Sequence, residues 1–168
     1  MLKFLNKKKN DNKGFSLVEL IIVVAILAIL VGLLAPQYLK YVEKSRKSAD
    51  ASNLDEMVRA IQVYAASAED TLAADTYTIT INKDGDATVA VTSGTEANKT
   101  AAEKALTEAV PDWKKTKLKS NKWSNGKEGD DKANETSISA EIEVKDDGGT
   151  TVKYTPKPLA DYINKTAK

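Results

Sequence analysis

An almost uninterrupted apolar run near the N-terminus constrains this chain more than any other feature. The run covers residues 15–35, and Glu19 is its only ionisable residue. At about 1.5 Å per residue, a helix of these 21 residues covers roughly 30 Å, which is the thickness of a bilayer core. A charge at the centre of such a helix costs roughly 2.5–3.5 kcal/mol on translocon scales. Glu19 lies near the start of the run, where the cost is smaller, but a lone carboxylate still needs a physical reason.

The residues before the run form a short basic leader. Residues 1–14 carry five lysines against one acidic residue, Asp11. Lysines before an apolar span favour a cytoplasmic N-terminus, which places the residues beyond 36 outside the cell. The pattern of small residues that marks a secretory cleavage site does not follow the run, so we expect the apolar segment to remain in the mature protein.

Charge and composition exclude several function classes. The 25 basic and 24 acidic residues of the chain become 20 and 23 without the leader, a formal charge of −3, which argues against a dedicated nucleic-acid binder. The chain has neither cysteine nor histidine, so disulfides, thiolate nucleophiles and the commonest general base are excluded. We therefore expect no enzymatic activity, no metal site and no cofactor.

The junction between leader and run carries a family resemblance. Gly14 followed by FSLVELIIVVAILAIL resembles the prepilin signature of type IV pilins and pseudopilins, over about residues 7–46. The resemblance implies cleavage after Gly14 by a membrane prepilin peptidase and N-methylation of the new Phe15 amine. It also implies polymerisation through the apolar helix. Ser16 stands where many relatives have threonine. In having no cysteine, the chain resembles the pilins of anaerobic Gram-positive bacteria.

Cleavage after Gly14 would give Glu19 a partner. The new amine at Phe15 would lie four residues before Glu19, about 6 Å away along a helix and on the same face. In a staggered bundle the amine of a neighbouring subunit would serve instead. Because a buried charge without a partner is strongly unfavourable, this pairing would set the axial register of assembly.

Gly32 and Pro36 weaken one turn of the same helix. Pro36 lacks an N–H and its ring crowds the carbonyl of residue 32. Gly32 is less favourable in a helix than alanine by roughly 1 kcal/mol. Two interpretations stay open: a simple kink at the membrane exit, or a turn that melts and lets a filament stretch, as the resemblance suggests.

The helix is predicted to continue over residues 37–69, where apolar residues recur in steps of three and four. Charged residues at 43–50 are interpreted as a solvated face, with salt bridges between subunits as the alternative. The members of the apolar stripe are Leu54, Met57, Ile61, Tyr64 and Ala68.

Beyond residue 70 the pattern predicts two β-hairpins and a short helix. The strands are predicted at 77–81, 87–91, 137–144 and 151–154, the helix at 96–110, and a tail at 159–168 with at most one helical turn. The acidic residues at 82–86 are interpreted as a plain turn rather than a calcium loop, because the full ligand pattern is missing. Trp113 and Trp123 are interpreted as anchors of the polar loop 112–134, with a stacking surface for nucleic acid as the alternative.

The expected fold class is α+β, with a long N-terminal helix whose outer half packs on a small antiparallel sheet of about four strands. This matches the ladle shape that the resemblance implies. The expected domains are a leader at 1–14, a transmembrane and filament-core helix at 15–36, and an extracellular headgroup at 37–168. Phe15, Glu19, Gly32 and Pro36 are the expected assembly residues.

The resemblance implies the function of a major, type IVa-like pilus subunit, made in the membrane and then assembled into an extracellular helical homopolymer. Such filaments serve adhesion, aggregation, biofilm formation and twitching motility. The implied partners are further copies of the chain, the prepilin peptidase and methyltransferase, an inner-membrane assembly platform with its ATPases, and lipid before assembly. The alternatives are a pseudopilin of a type II secretion system, or a minor pilin that binds DNA or a host ligand.

Overall fold

The computed structural model describes residues 16–67, 72–120, 122–123 and 137–166. The chain divides into two units, one that ends at Tyr41 and one that begins at Val42. The elements in chain order are α1 Leu17–Ala65, β1 Asp75–Asn82, β2 Thr88–Val91, α2 Glu96–Ala109, a 3-10 turn Trp113–Lys115, β3 Ser137–Val144, β4 Thr150–Thr155 and α3 Lys157–Thr166.

The N-terminal unit, as far as the structure describes it, consists of the first part of α1. The large apolar side chains from Leu17 to Leu34 are between 48% and 73% exposed, so the described chain leaves this surface uncovered. By length and composition, α1 is able to cross a membrane. An apolar surface of this extent marks a site that contacts lipid or another protein.

In the C-terminal unit, four strands form an antiparallel sheet in the order β2-β1-β3-β4. The predicted hairpin of β1 and β2 is confirmed by the pairing of Thr80 with Thr88 and of Tyr77 with Val91. The second predicted hairpin, of β3 and β4, is confirmed as well, and β3 covers the predicted residues. Alternating sequences form these strands because side chains at every second position enter the core.

The core of this unit lies between the sheet and the predicted stripe of α1. Leu54, Met57 and Ile61 on α1 are fully buried, as are Tyr77 and Ile79 on β1. The buried apolar residues of α1, α2 and the sheet belong to one hydrophobic cluster. The long helix and the four-stranded antiparallel sheet confirm the predicted α+β class.

The structure differs from the sequence-based expectation at the end of each terminal helix. α1 ends at Ala65 rather than at residue 69, and the predicted stripe residue Ala68 lies outside the described residues. The predicted tail is a helix of 10 residues, α3, instead of a single turn. Pro158 is tolerated because N–H groups in the first turn of a helix have no partner within it. Leu159 is fully buried, so packing on the core stabilises the helix beyond one turn.

From the hydrogen bonds of two tyrosine hydroxyl groups we predict a loss of stability at alkaline pH. The Tyr154 hydroxyl donates to Asp55 Oδ1 at 3.0 Å, and the Tyr77 hydroxyl donates to the Ala73 carbonyl at 2.9 Å. Burial is the main cause that raises the pKa of both hydroxyl groups. A nearby carboxylate raises each pKa further, that of Asp55 for Tyr154 and that of Asp75 for Tyr77. A raised pKa in the folded state means that the unfolded chain ionises first. The contribution of the two hydroxyl groups to the free energy of unfolding is therefore complete below about pH 10 and is lost as the pH rises above it.

The variant Tyr154→Phe tests this dependence. We expect it to lower the free energy of unfolding by about 1–2 kcal/mol at neutral pH, because Asp55 loses a donor. We also expect a shallower decline above pH 10, measured by denaturant unfolding at several pH values. Tyr41→Phe, at a side chain that is 70% exposed, is the matched control and should follow the wild type at every pH. An unchanged alkaline decline in Tyr154→Phe would contradict the assignment.

Candidate assembly site

Glu19 lies in the first turn of α1, where its carboxylate binds the end of its own helix. The Ser16 backbone N–H donates to Glu19 Oε2 at 2.9 Å. Ser16 and Glu19 have the S-x-x-E spacing of a capping box, in which the acid three residues into the helix satisfies an N–H that has no intrahelical acceptor. The negative charge also interacts favourably with the positive end of the helix dipole. In a single chain, Glu19 thus has a backbone partner. The S-x-x-E spacing signals this contact, which was not among the sequence-based expectations.

The two processing residues cannot be compared with the structure. Gly14 and Phe15 lie outside the described residues, so cleavage after Gly14 and methylation at Phe15 stay predictions. The described structure begins two residues after the predicted cleavage site, at Ser16. The predicted pairing of Glu19 with an amine therefore rests on the sequence spacing.

Gly32 and Pro36 both lie within α1, which continues through them. A Cβ atom placed on Gly32 would meet no atom of the described chain within 4 Å, apart from the local helix backbone. Packing within the described chain therefore does not require glycine at this position. The two interpretations of this turn, a kink or a turn that melts, stay predictions.

A buried carboxylate in the C-terminal unit holds a distant segment against α1. Asp50 is 1% exposed and accepts from the backbone N–H groups of Lys119 and Ser120, at 2.8 and 2.9 Å. It also accepts from the indole Nε1–H of Trp123 at 3.1 Å. We call these four residues the Asp50 clamp. A carboxylate that accepts three hydrogen bonds can remain buried, because N–H groups replace the water that it loses.

Side chains around the Asp50 clamp strengthen the same attachment. The Ser120 hydroxyl donates to Glu43 Oε1, and Lys47 Nζ lies 5.0 Å from the ring centroid of Trp123. Tyr162 on α3 packs against Trp123 edge-on, with ring centroids 6.1 Å apart. The predicted solvated face at 43–50 is therefore wrong for Asp50, because this residue points into the core.

The two tryptophans are anchors, as predicted, rather than a surface for stacking bases. Trp113 and Trp123 are each 1% exposed. The Trp113 indole N–H donates to Thr107 Oγ1 at 3.2 Å, which ties the 3-10 turn to α2. A buried ring has no free face on which a base can stack. Residue 121 and the part of the predicted loop beyond Trp123 lie outside the described residues.

Other acidic groups of the headgroup are also engaged in structural contacts. Asp75 accepts from the N–H of Thr76 at 2.8 Å, from Asn98 at 3.0 Å and from Ser93. Burial alone would raise the pKa of Asp75, but these hydrogen bonds outweigh it and lower the pKa below its usual value. In the β1–β2 connection, Asn82 Nδ2 donates to the Asp86 carbonyl at 3.0 Å, and the choice of a plain turn over a calcium loop stays a prediction. Among the described residues, none of the acidic groups forms a cluster of three that would hold a metal ion.

Comparison with known proteins supports the prepilin-like motif that the sequence indicates near the N-terminus. The family model of the prokaryotic N-terminal methylation motif matches residues 9–35. The chain is 44% identical over 54 residues to sequences of the type IV major fimbrial protein FimA of Dichelobacter nodosus. The match covers 32% of this chain, and the chain spans only 34–35% of the length of these curated relatives. No solved structure matches the chain significantly.

The match places the methylation motif at the start of a long apolar helix, so this part of the chain is similar to proteins of the prepilin class. The similarity to major fimbrial proteins over 54 residues, together with the α+β fold, supports a type IV pilin.

Proposed function

We propose that this chain is the major structural subunit of a type IV pilus and has no catalytic role. One observation carries the proposal: the matched methylation motif coincides with a helix whose apolar side chains the described chain leaves exposed. Such a helix must be covered by lipid or by further helices. The similarity to major fimbrial proteins favours the major subunit over a pseudopilin or a minor pilin.

In the proposed pathway, the precursor sits in the membrane with the leader 1–14 in the cytoplasm. A prepilin peptidase cleaves after Gly14, and a methyltransferase modifies the Phe15 amine. The helix 15–36 remains in the bilayer and the headgroup 37–168 remains outside. An inner-membrane platform with its ATPases then moves subunits from the bilayer into the filament.

Assembly transfers the apolar helix from lipid to the centre of a helical homopolymer. Lipid tails and protein interiors are both apolar, so hydrophobicity alone does not fix how the helices align. Polar pairing sets the register instead, and Glu19 is the only acid in the run that can provide it. In this proposal Glu19 exchanges the Ser16 N–H, its partner in the single chain, for the Phe15 amine of a neighbouring subunit. Gly32 and Pro36 let the same helix bend or melt locally on packing.

The filaments would extend from the cell surface and serve adhesion, aggregation and biofilm formation. Twitching motility would follow if the ATPases also retract them. Direct nucleic-acid binding is not part of the proposal, because both tryptophans are buried.

The composition of sheared surface filaments tests this function. We expect electron microscopy to show thin filaments, and mass spectrometry to find this chain as their main component with methylated Phe15 at its N-terminus. A Gly14→Val variant should keep its leader and yield no filaments, while Gly85→Val, in the β1–β2 turn, should be processed normally. Filaments built mainly from another protein would contradict the major-subunit role.

A further inference from the structure

Four exposed lysines form a cationic surface on the C-terminal unit. We call Lys44, Lys117, Lys119 and Lys122 the basic patch. Among the described residues, none of these side chains has an acidic partner or a hydrogen bond. Lys117 and Lys119 alternate with the buried residues Leu118 and Ser120, so the lysine side chains point outward.

The Asp50 clamp holds the segment that carries three of these lysines against α1, which carries the fourth. It fixes Lys119 and Ser120 against α1, and the Ser120 hydroxyl reaches Glu43, the neighbour of Lys44. The Lys122 backbone N–H donates to Ser120 Oγ at 3.1 Å. Residues 117–120 and 122–123 therefore lie beside the start of the α1 portion in this unit.

The two acidic groups of α1 beside the basic patch, Asp50 and Glu43, have other partners. Asp50 is buried and directed at backbone and indole N–H groups. Glu43 is shared between Ser120 and Arg46, whose Nη1 lies 3.9 Å from Glu43 Oε2. Among the described residues, no ion pair joins Asp50, Glu43 or the exposed Asp84 and Asp86 of the nearby β1–β2 turn to the four lysines, so the lysine charges face solvent.

We propose that the basic patch binds the phosphates of anionic lipid headgroups while the subunit waits in the membrane before assembly. The proposal rests on the membrane anchoring of the proposed function. Lys44 follows Ala35, the last residue of the apolar run, by only nine positions, and even a fully extended chain of that length spans only about 30 Å. Lysine ammonium groups near an anionic surface contribute about fivefold each to binding, without requiring a defined ligand geometry. A soluble polyanion has similar charges, but the position of the patch directly after the apolar run favours a bilayer.

Energy transfer from tryptophan to a dansyl-labelled lipid measures how close the headgroup lies to the bilayer. The chain has only two tryptophans, Trp113 and Trp123, and both belong to the headgroup. The full-length chain is reconstituted in vesicles of phosphatidylcholine alone or with about one third phosphatidylglycerol. We expect greater transfer in the anionic vesicles, and we expect 0.5 M salt to remove the difference by screening.

The triple variant Lys117→Gln, Lys119→Gln and Lys122→Gln should lose the difference between the two vesicle types. It keeps the Asp50 clamp, because Lys119 contributes its backbone N–H and not its side chain. Tryptophan emission at the wild-type wavelength confirms that the variant is folded. The matched control replaces three lysines elsewhere on the headgroup by glutamine, namely Lys99, Lys145 and Lys153, and should behave as the wild type.

Three results would overturn the proposal. One is equal transfer in both vesicle types, and another is an undiminished difference in the triple variant. The third is binding of soluble DNA at the same lysines with no response to lipid charge. Alkaline extraction separates this proposal from the one that it rests on: a chain released from neutral vesicles contradicts both, whereas an embedded chain without a lipid-dependent difference contradicts only the basic patch.

Discussion

Replacement of Asp50 by alanine is expected to release residues 117–120 and 122–123 from α1 and to lower the free energy of unfolding of the C-terminal unit by about 3–5 kcal/mol. The change removes the acceptor of three N–H groups, those of Lys119, Ser120 and the Trp123 indole. Each buried donor that loses its acceptor costs about 1–3 kcal/mol, and the costs are not additive because the released segment regains water. Asp50→Asn should be destabilising as well. Both carboxylate oxygens of Asp50 accept N–H groups, and asparagine replaces one of them with an NH2 group that cannot accept.

Denaturant unfolding of the full-length chain in detergent, followed by tryptophan fluorescence, measures this effect. The emission of Trp123 should also shift toward that of a solvated indole in the native baseline, because the clamp holds its ring in the core. Asp84→Ala, an exposed acid in the turn between β1 and β2, is the matched control, with an expected change within about 0.5 kcal/mol. Wild-type stability and emission in Asp50→Ala would contradict the role of the clamp.

Local patterns were sufficient to predict most of the headgroup's secondary structure. The alternation in β3 predicted its residues 137–144, and the Asp-Gly pair predicted the connection between β1 and β2. These signals are local because a strand that buries one face alternates in sequence, and a tight turn needs particular residues. The stripe on α1 is local in the same way, since helical neighbours are three and four residues apart.

The Asp50 clamp could not be predicted from such patterns. Its partners are backbone N–H groups 69 and 70 residues away, and a backbone N–H leaves no trace in the sequence. An aspartate among charged neighbours therefore looks like a solvated residue until the fold places it. The capping contact of Glu19 differs, because the S-x-x-E spacing was available. The length of α3 had a local signal too, since Leu159, Tyr162 and Ile163 are spaced as one helical face, but the two prolines obscured it.

Glu19 variants separate its two possible roles, capping its own helix and pairing with an amine of a neighbouring subunit. Glu19→Ala removes both. Glu19→Gln keeps the cap, since glutamine also accepts the Ser16 N–H in a capping box. It removes the negative charge, so an amine buried among apolar helices would lose its ionic partner. Leaving one member of a buried ion pair without its partner costs roughly 3–5 kcal/mol, which corresponds to a factor of about 100 or more in the equilibrium constant for adding a subunit.

We therefore expect both Glu19 variants to yield almost no sheared filaments, with the precursor and the folded headgroup still present in the membrane at wild-type amounts. Filament yield per membrane-bound subunit is the measurement, and Glu56→Gln, which removes an exposed charge from another part of α1, is the control with normal yield. Normal yield from Glu19→Gln together with loss in Glu19→Ala would mean that the helix cap is the essential contact. Loss in both variants would assign the effect to charge pairing between subunits, because Glu19→Gln keeps an acceptor for the Ser16 N–H and lacks only the charge. The comparison thus distinguishes a local helix contact from a contact that only the filament provides.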